Sequence, residues 1–382
     1  MKVLLACPYA WDVPGGVQTH VRQLAASLRD RGHDVVIAAP FRSQDASEPA
    51  VERVGRAVSL PWGGSIVPLC VSAASFRRVR ALLRAFDPDV VHVHEPFSPS
   101  TAMLATLAAH RPVVATFHAF IDRSRVLDAS APLLRIVWRR IAAAVAVSEA
   151  AAECAGRVVR RPLDVIPNGV ASPVVERRGA LATGLPRGRL VLWTHRLEPR
   201  KGFPIAIRAF AELAAELDDV HLVVVGDGPD RTALGLLPER HRGRVSMLGA
   251  VSDDELGSLR AAARVFVAPA VGHESFGIAL VEAMAAGLPV VATDIPGYRE
   301  VIRPGVDGLL VPPNDPNALA AALRRVLSEP ELAASLVAAG RRRARTYSWD
   351  VVAPRLEAIY ARIAARVAAR PPATRTAPIS AA

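Results

Sequence analysis

Two carboxylates, Glu274 and Glu282, lie in the run Gly272-His273-Glu274-Ser275-Phe276-Gly277-Ile278-Ala279-Leu280-Val281-Glu282-Ala283-Met284-Ala285-Ala286-Gly287. The run follows apolar Val265-Phe266-Val267-Ala268-Pro269 and precedes Val290-Val291-Ala292, so it reads as strand, loop, helix and strand. First-turn amides of a helix lack partners and the helix dipole favours an anion, so a phosphate can sit on Phe276, Gly277 and Ile278. Carboxylates beside such a site suit hydroxyl groups better than the phosphate itself. The ligand to expect is a sugar or ribose attached to phosphate. Opposing charge is offered by Arg196 and Lys201 in Thr194-His195-Arg196-Leu197-Glu198-Pro199-Arg200-Lys201-Gly202-Phe203, at the carboxyl end of another apolar run. Arginine forks onto one phosphate and lysine supplies a compact charge to the next. Of 47 basic residues only Lys2 and Lys201 are lysine, so an internal lysine marks a place where arginine would not serve.

The elements that must position these groups are short apolar strands alternating with amphipathic helices. Runs at 3–6, 34–39, 89–94, 112–117 and 142–147 indicate one parallel sheet covered on both faces. Leu163 to Val170 gives a strand and a Pro/Asn/Gly turn. The pattern then restarts at Leu190–Thr194, Val220–Gly226, Val245–Leu248, Val265–Ala268 and Val290–Thr293. The fold class is therefore α/β, two doubly wound domains facing a central cleft, with ligands at the carboxyl ends of the strands. The expected division is 1–168 and 169–348, with helices over 316–328, 330–345 and 351–368 and a disordered tail over 370–382.

Other groups face the same cleft. The first strand ends in Cys7-Pro8-Tyr9-Ala10-Trp11-Asp12-Val13-Pro14-Gly15-Gly16-Val17-Gln18, where Gly15-Gly16 opens a helix and lets backbone approach a ligand. It is not GxGxxG, which argues against a dinucleotide fingerprint. His118 closes the run Val113–Phe117 at a strand's carboxyl end. His92 and His94 alternate along one strand face without a third ligand in view, so no metal site is assigned. Arg77, Arg78, Arg80 and Arg84 lie among apolar residues at helical spacing, which fits docking on anionic lipid as well as a solvated basic face.

Hydrophobic content of 51% and charged content of 22% describe a globular chain. No apolar run is long enough for a membrane span, and Met1-Lys2-Val3 reads as a first strand rather than a signal peptide. Cys7, Cys70 and Cys154 have neither metal nor redox spacing and read as buried thiols. The net charge of +11 is divided as +6 over 1–170, −2 over 171–340 and +7 over 341–382. A near-neutral second half without a basic–aromatic groove argues against nucleic acid.

Pro14-Gly15-Gly16, Ile166-Pro167-Asn168-Gly169-Val170, Arg196 with Lys201-Gly202, Gly226-Asp227-Gly228-Pro229 and Glu274 with Glu282 together resemble the retaining family 4 glycosyltransferases of GT-B fold, over about residues 1–365. Within that family, Cys7-Pro8-Tyr9, Asp12–Gln18, Val91–Pro96 and Thr116-Phe117-His118 look most like members that mannosylate phosphatidylinositol from GDP-mannose. The resemblance implies donor contacts from Gly16, Arg196, Lys201, Glu274, Phe276, Gly277, Ile278 and Glu282. It implies acceptor contacts from Tyr9, Asp12, Gln18, Trp62, Ser65 and His118, with His118, Arg196, Lys201 and Glu274 at the reacting centre. It further implies a final helix (349–369) crossing back to the first domain, a lipid or polyol acceptor and no tightly bound cofactor. A monomer lying peripherally on the cytoplasmic membrane face is the expected state. The sequence departs from the pattern at Trp62-Gly63-Gly64-Ser65 with Pro68 beyond, where Tyr-Asn-Gly-Ser and an arginine would be expected, and at His195, where glycine is usual. An epimerase or phosphorylase on the same architecture stays open as an alternative.

Overall fold

The computed structural model describes residues 1–62, 65–119, 125–159, 162–171 and 188–368. The apolar runs form two parallel sheets. The first has seven strands in the order Val51–Arg56, Asp34–Phe41, Lys2–Ala6, Val90–His94, Val113–Phe117, Ile141–Ala146 and Asp164–Val165. The second has six, in the order Val245–Gly249, Val220–Val225, Arg189–Thr194, Val265–Ala268, Val290–Thr293 and Leu309–Val311. Val3 through Ala6 and Val90 through His94 are fully buried, as strands covered on both faces require. In each sheet the first strand in sequence pairs on both sides, so the order reverses beside it and a crevice opens at the strand carboxyl ends.

Four strands have no counterpart in the sequence reading. Leu309–Val311 extends the second sheet in only three residues, and the hairpin Val58–Trp62 with Ser65–Leu69 pairs antiparallel apart from the main sheet. Val51–Arg56 mixes polar and apolar residues and closes the first sheet's edge.

The chain after residue 348 leaves the second domain. Helix Trp349–Ala368 buries Val352, Leu356, Ile359, Tyr360 and Ile363 against Val3, Leu5, Val21 and Leu24 of the first domain. Those positions recur at three- and four-residue spacing, the face an amphipathic helix buries. Trp349 Nε1 donates to Gln23 Oε1 at 3.0 Å, and Tyr360 Oη lies 2.6 Å from His92 Nδ1 in the sheet. A further contact joins the domains: the Glu300 carboxylate accepts the amides of Glu149 and Ala150 at 2.8 and 3.0 Å, capping helix Glu149–Val159 from the other domain.

Candidate functional site

Helix Ile278–Ala286 begins immediately after Gly277, whose φ of 90° lies in the left-handed region and whose position receives no side-chain cap. A Cβ there would come within 2.9 Å of the Tyr298 ring, so the tight entry into the helix needs glycine. Phe276 is buried and meets the Tyr347 ring edge-on at 5.4 Å. The amide end of the helix therefore stands on a packed base. Across the cleft, a Cβ on Gly16 would stand 3.6 Å from Ile278 Cδ1. The glycine loop of the first domain and the helix start of the second thus close on each other.

The two carboxylates, expected to grip hydroxyl groups, are each paired with cations of the protein itself. Glu274 is largely buried; its Oε1 lies 2.8 Å from Lys201 Nζ and also pairs with Arg200 Nη1. Arg200 Nε in turn lies 3.1 Å from Glu198 Oε2, and Arg196 Nη1 2.9 Å from Glu198 Oε1. Glu282 is paired with Arg260. Burial alone would raise the Glu274 carboxyl, but Lys201 and Arg200 overcome it and hold the group below the usual carboxylate range. Burial pushes the Lys201 ammonium down, opposed by Glu274 and reinforced by Arg200. Arg196, Arg200 and Lys201 against Glu198 and Glu274 leave this cluster of five one positive charge in excess. Gly202 fixes the turn: its φ is 76° and a Cβ would fall 1.9 Å from the Pro269 carbonyl oxygen. The Val271 amide donates to the Arg200 carbonyl at 2.9 Å, so the cationic loop and the glutamate loop are stitched side by side.

On the first-domain side, Asp12 and Gln18 hold their own loop. Asp12 accepts the amides of Arg42 and Ser43 at 2.7 Å each, and Gln18 Nε2 donates to the carbonyls of Ala10 and Val13 at 3.0 and 2.9 Å. Tyr9 bridges to Leu69 beside the hairpin, and its phenol is pushed up by burial and by the nearby Glu95 charge. Trp62 and Ser65 pair across the hairpin end, while Gly63 and Gly64 lie outside the described residues, as do 120–124 and the tail 370–382. Arg77, Arg78, Arg80 and Arg84 project outward from helix Ala73–Phe86, which buries Ser75, Val79 and Leu83. No described helix is long and apolar enough to cross a membrane.

His118 is buried, with Nε2 2.9 Å from His94 Nδ1. Its backbone amide and that of Ala119, the latter at 2.6 Å, donate to Glu95 Oε1. Burial pushes the Glu95 carboxyl up to about 7 against these two bonds. His92 does not act with His94 as a pair of open ligands; it bonds Tyr360 and, at 2.7 Å, Thr116 Oγ1. His118 instead gathers with His94 and with His20, the companion absent from the sequence reading, into one buried group.

The glycine loop of one crevice thus faces, in the other, an uncapped helix start and a cluster of paired cations. Residues 14–172 match the family model described as Glycosyltransferase Family 4, and 184–343 that of Glycosyl transferases group 1. A Mycolicibacterium smegmatis protein named phosphatidyl-myo-inositol mannosyltransferase is 40% identical over 363 residues, covering 94% of this chain and 93% of its own. The protein of that name in Mycobacterium leprae is 42% identical over 370 residues, 95% of this chain and 97% of its own. The chain belongs to the family 4 glycosyltransferases. Sucrose-phosphate synthase from Thermosynechococcus elongatus shares the fold with a TM-score of 0.72 at 22% identity, covering 96% of this chain and 99% of its own. The architecture is GT-B.

Sequence reasoning for this glycosyltransferase missed Arg200, Arg260, Glu95 and His20. Arg200 was within sight, standing between Glu198 and Lys201 in the same turn. Arg260 is 22 residues from Glu282 and meets it only because two helices of the second domain pack together. Glu95 had a local signal that went unread: a charged residue ending a fully buried strand, here with φ of 53°.

Proposed function

We propose that this glycosyltransferase moves mannose from GDP-mannose to a hydroxyl of phosphatidylinositol, with retention at the anomeric carbon. The observation that carries the reading is the cluster of Arg196, Arg200 and Lys201 around Glu274 beside the uncapped start of helix Ile278–Ala286. The names of the relatives supply the sugar and the acceptor. Arg196 and Lys201 neutralise the departing diphosphate, and the amides of Phe276, Gly277 and Ile278 receive phosphate and sugar. Preorganised charge of this kind is worth about 10²–10³-fold in rate per group. Glu274 exchanges its cations for donor-sugar hydroxyls, and Glu282, held by Arg260, reaches the ribose. Gly16 lets the first-domain loop close over the phosphates. His118 stands on the acceptor side with Tyr9, Trp62 and Ser65, on a loop shaped by Asp12 and Gln18.

In this reading the domains divide at 168/169 with 349–369 returned to the first. The enzyme works as a monomer at the cytoplasmic membrane face, with Arg77, Arg78, Arg80 and Arg84 toward anionic lipid, and without a tightly bound cofactor. A second reading takes a soluble polyol acceptor, favoured by Pro68 where an arginine would meet the lipid phosphate. Radiolabelled GDP-mannose, UDP-glucose and UDP-N-acetylglucosamine, each offered with phosphatidylinositol liposomes or free myo-inositol, test both. Label extracted with lipid from GDP-mannose alone supports the first reading. Label on free inositol without lipid supports the second, and release of sugar independent of any acceptor defeats both.

A further inference from the structure

We propose that His20, His94 and His118 form a binding site for one borderline divalent transition metal such as Zn2+. Their candidate ligand nitrogens all lie within 4.8 Å of one another, and all three rings are buried. The ring centroids are 5.3, 4.8 and 5.2 Å apart. Tetrahedral coordination with metal–nitrogen bonds of about 2.0–2.1 Å places imidazole centres roughly 5 Å apart, so the rings already stand at the needed spacing. Both nitrogens of His20 and Nε2 of His94 make no hydrogen bond of good geometry, although the Asn168 side chain lies against His20 and His118. Buried polar atoms are seldom left so, and metal ligation would satisfy one nitrogen of each ring.

The surroundings favour the same occupant. His92, stacked 4.5 Å from His94 and bonded to Tyr360 and Thr116, braces the group without joining it. Glu95, anchored on the amides of His118 and Ala119, offers a compensating carboxylate. Three imidazoles suit Zn2+, Co2+ or Cu2+ and not Mg2+ or Ca2+. The ion would replace the contact between His94 Nδ1 and His118 Nε2 and take the His118 ring nitrogen for itself. Resting on the acceptor-side role proposed for His118, bound metal would then slow sugar transfer.

The test uses the full chain purified without a histidine tag and titrated with Co2+. The expected result is the visible absorption of four-coordinate Co2+ saturating at one equivalent and displaced by Zn2+. His20→Phe, which keeps the ring bulk, and His20→Gln, which keeps a polar group, should each weaken binding about 10–100-fold or more, while His221→Phe should not. Absence of the bands, or unchanged affinity in whichever His20 variants fold, overturns the site. In the activity arm, one equivalent of Zn2+ should slow transfer by the wild type, reversibly with EDTA, and leave a His20 variant unaffected. Tight Co2+ binding with undiminished transfer overturns the inhibitory role alone. Tight Co2+ binding by a protein that transfers no sugar at all upholds the site and sinks the proposed function.

Discussion

Replacing Glu274 by glutamine should tighten the binding of a nucleoside diphosphate while slowing sugar transfer. Glu274 Oε1 lies 2.8 Å from Lys201 Nζ, with both side chains close to nine-tenths covered. Two unit charges at that distance attract by about 6 kcal/mol at an effective dielectric of ~20, much of it offset by the cost of burying them. An incoming diphosphate competes with this carboxylate for the same ammonium. Glutamine removes the competitor and takes the five-group cluster from one excess positive charge to two. Recovering only a quarter of the attraction, about 1.5 kcal/mol, tightens GDP binding about ten-fold. Transfer should fall at the same time by about 10²-fold, because the group proposed to orient the sugar hydroxyls is gone. Calorimetric titration with GDP and initial-rate measurements on the same preparation read the two effects. Since Lys201 and Arg200 keep Glu274 ionised, the gain should be equal at pH 6 and pH 8. GDP affinity unchanged or weakened in Glu274→Gln would refute the competition.

The other predictions concern single groups. Lys201→Arg keeps the charge but forces a planar fork where a compact ammonium reaches Glu274, so kcat should fall at least ~10-fold; equal rates would undo the argument from the rarity of lysine. Gly277→Ala sets a Cβ 2.9 Å from the Tyr298 ring at a left-handed φ, and should cost about 1–3 kcal/mol in urea unfolding. Glu95 makes stability depend on pH. Its folded value near 7 exceeds the model-peptide value of 4.5, so the folded state holds the extra proton between them, and wild-type stability falls as pH rises through that window. The full effect is about 3 kcal/mol. Glu95→Gln should therefore match wild type near pH 4.5 and gain in relative stability toward pH 8; parallel melting curves across that range would contradict it.

The elements that carry the proposed donor half were legible because they are consecutive. Strand, loop, glycine and helix follow one another from Val265 to Gly287, and the turn from Arg196 to Lys201 sits at the end of an evident strand. The pairing state of those charges was not legible, since Glu274 meets Lys201 and Arg200 only when two crossover loops lie side by side. The histidine group shows the same limit. The parallel register sets His94 opposite Thr116, which brings the ends of those two strands together and His118 within reach. His20 arrives from helix Gly16–Asp30, where its spacing from Val17, Val21 and Leu24 marks it as buried but says nothing of the strand ends it meets. The final helix was readable from its periodicity, but its docking on the first domain followed from family resemblance and not from the residues alone.

That docking means the first domain is not a stretch of chain but two pieces separated by the whole second domain. The link after Asn168 and the return at Ser348 cross between the domains side by side, with the Val170 amide donating to the Tyr347 carbonyl at 2.8 Å. A ribosome therefore cannot finish the first lobe before the last: until Trp349, Val352, Leu356, Tyr360 and Ile363 emerge, Val3, Leu5, Val21 and Leu24 lack their cover. Synthesis of this enzyme is completed at its beginning.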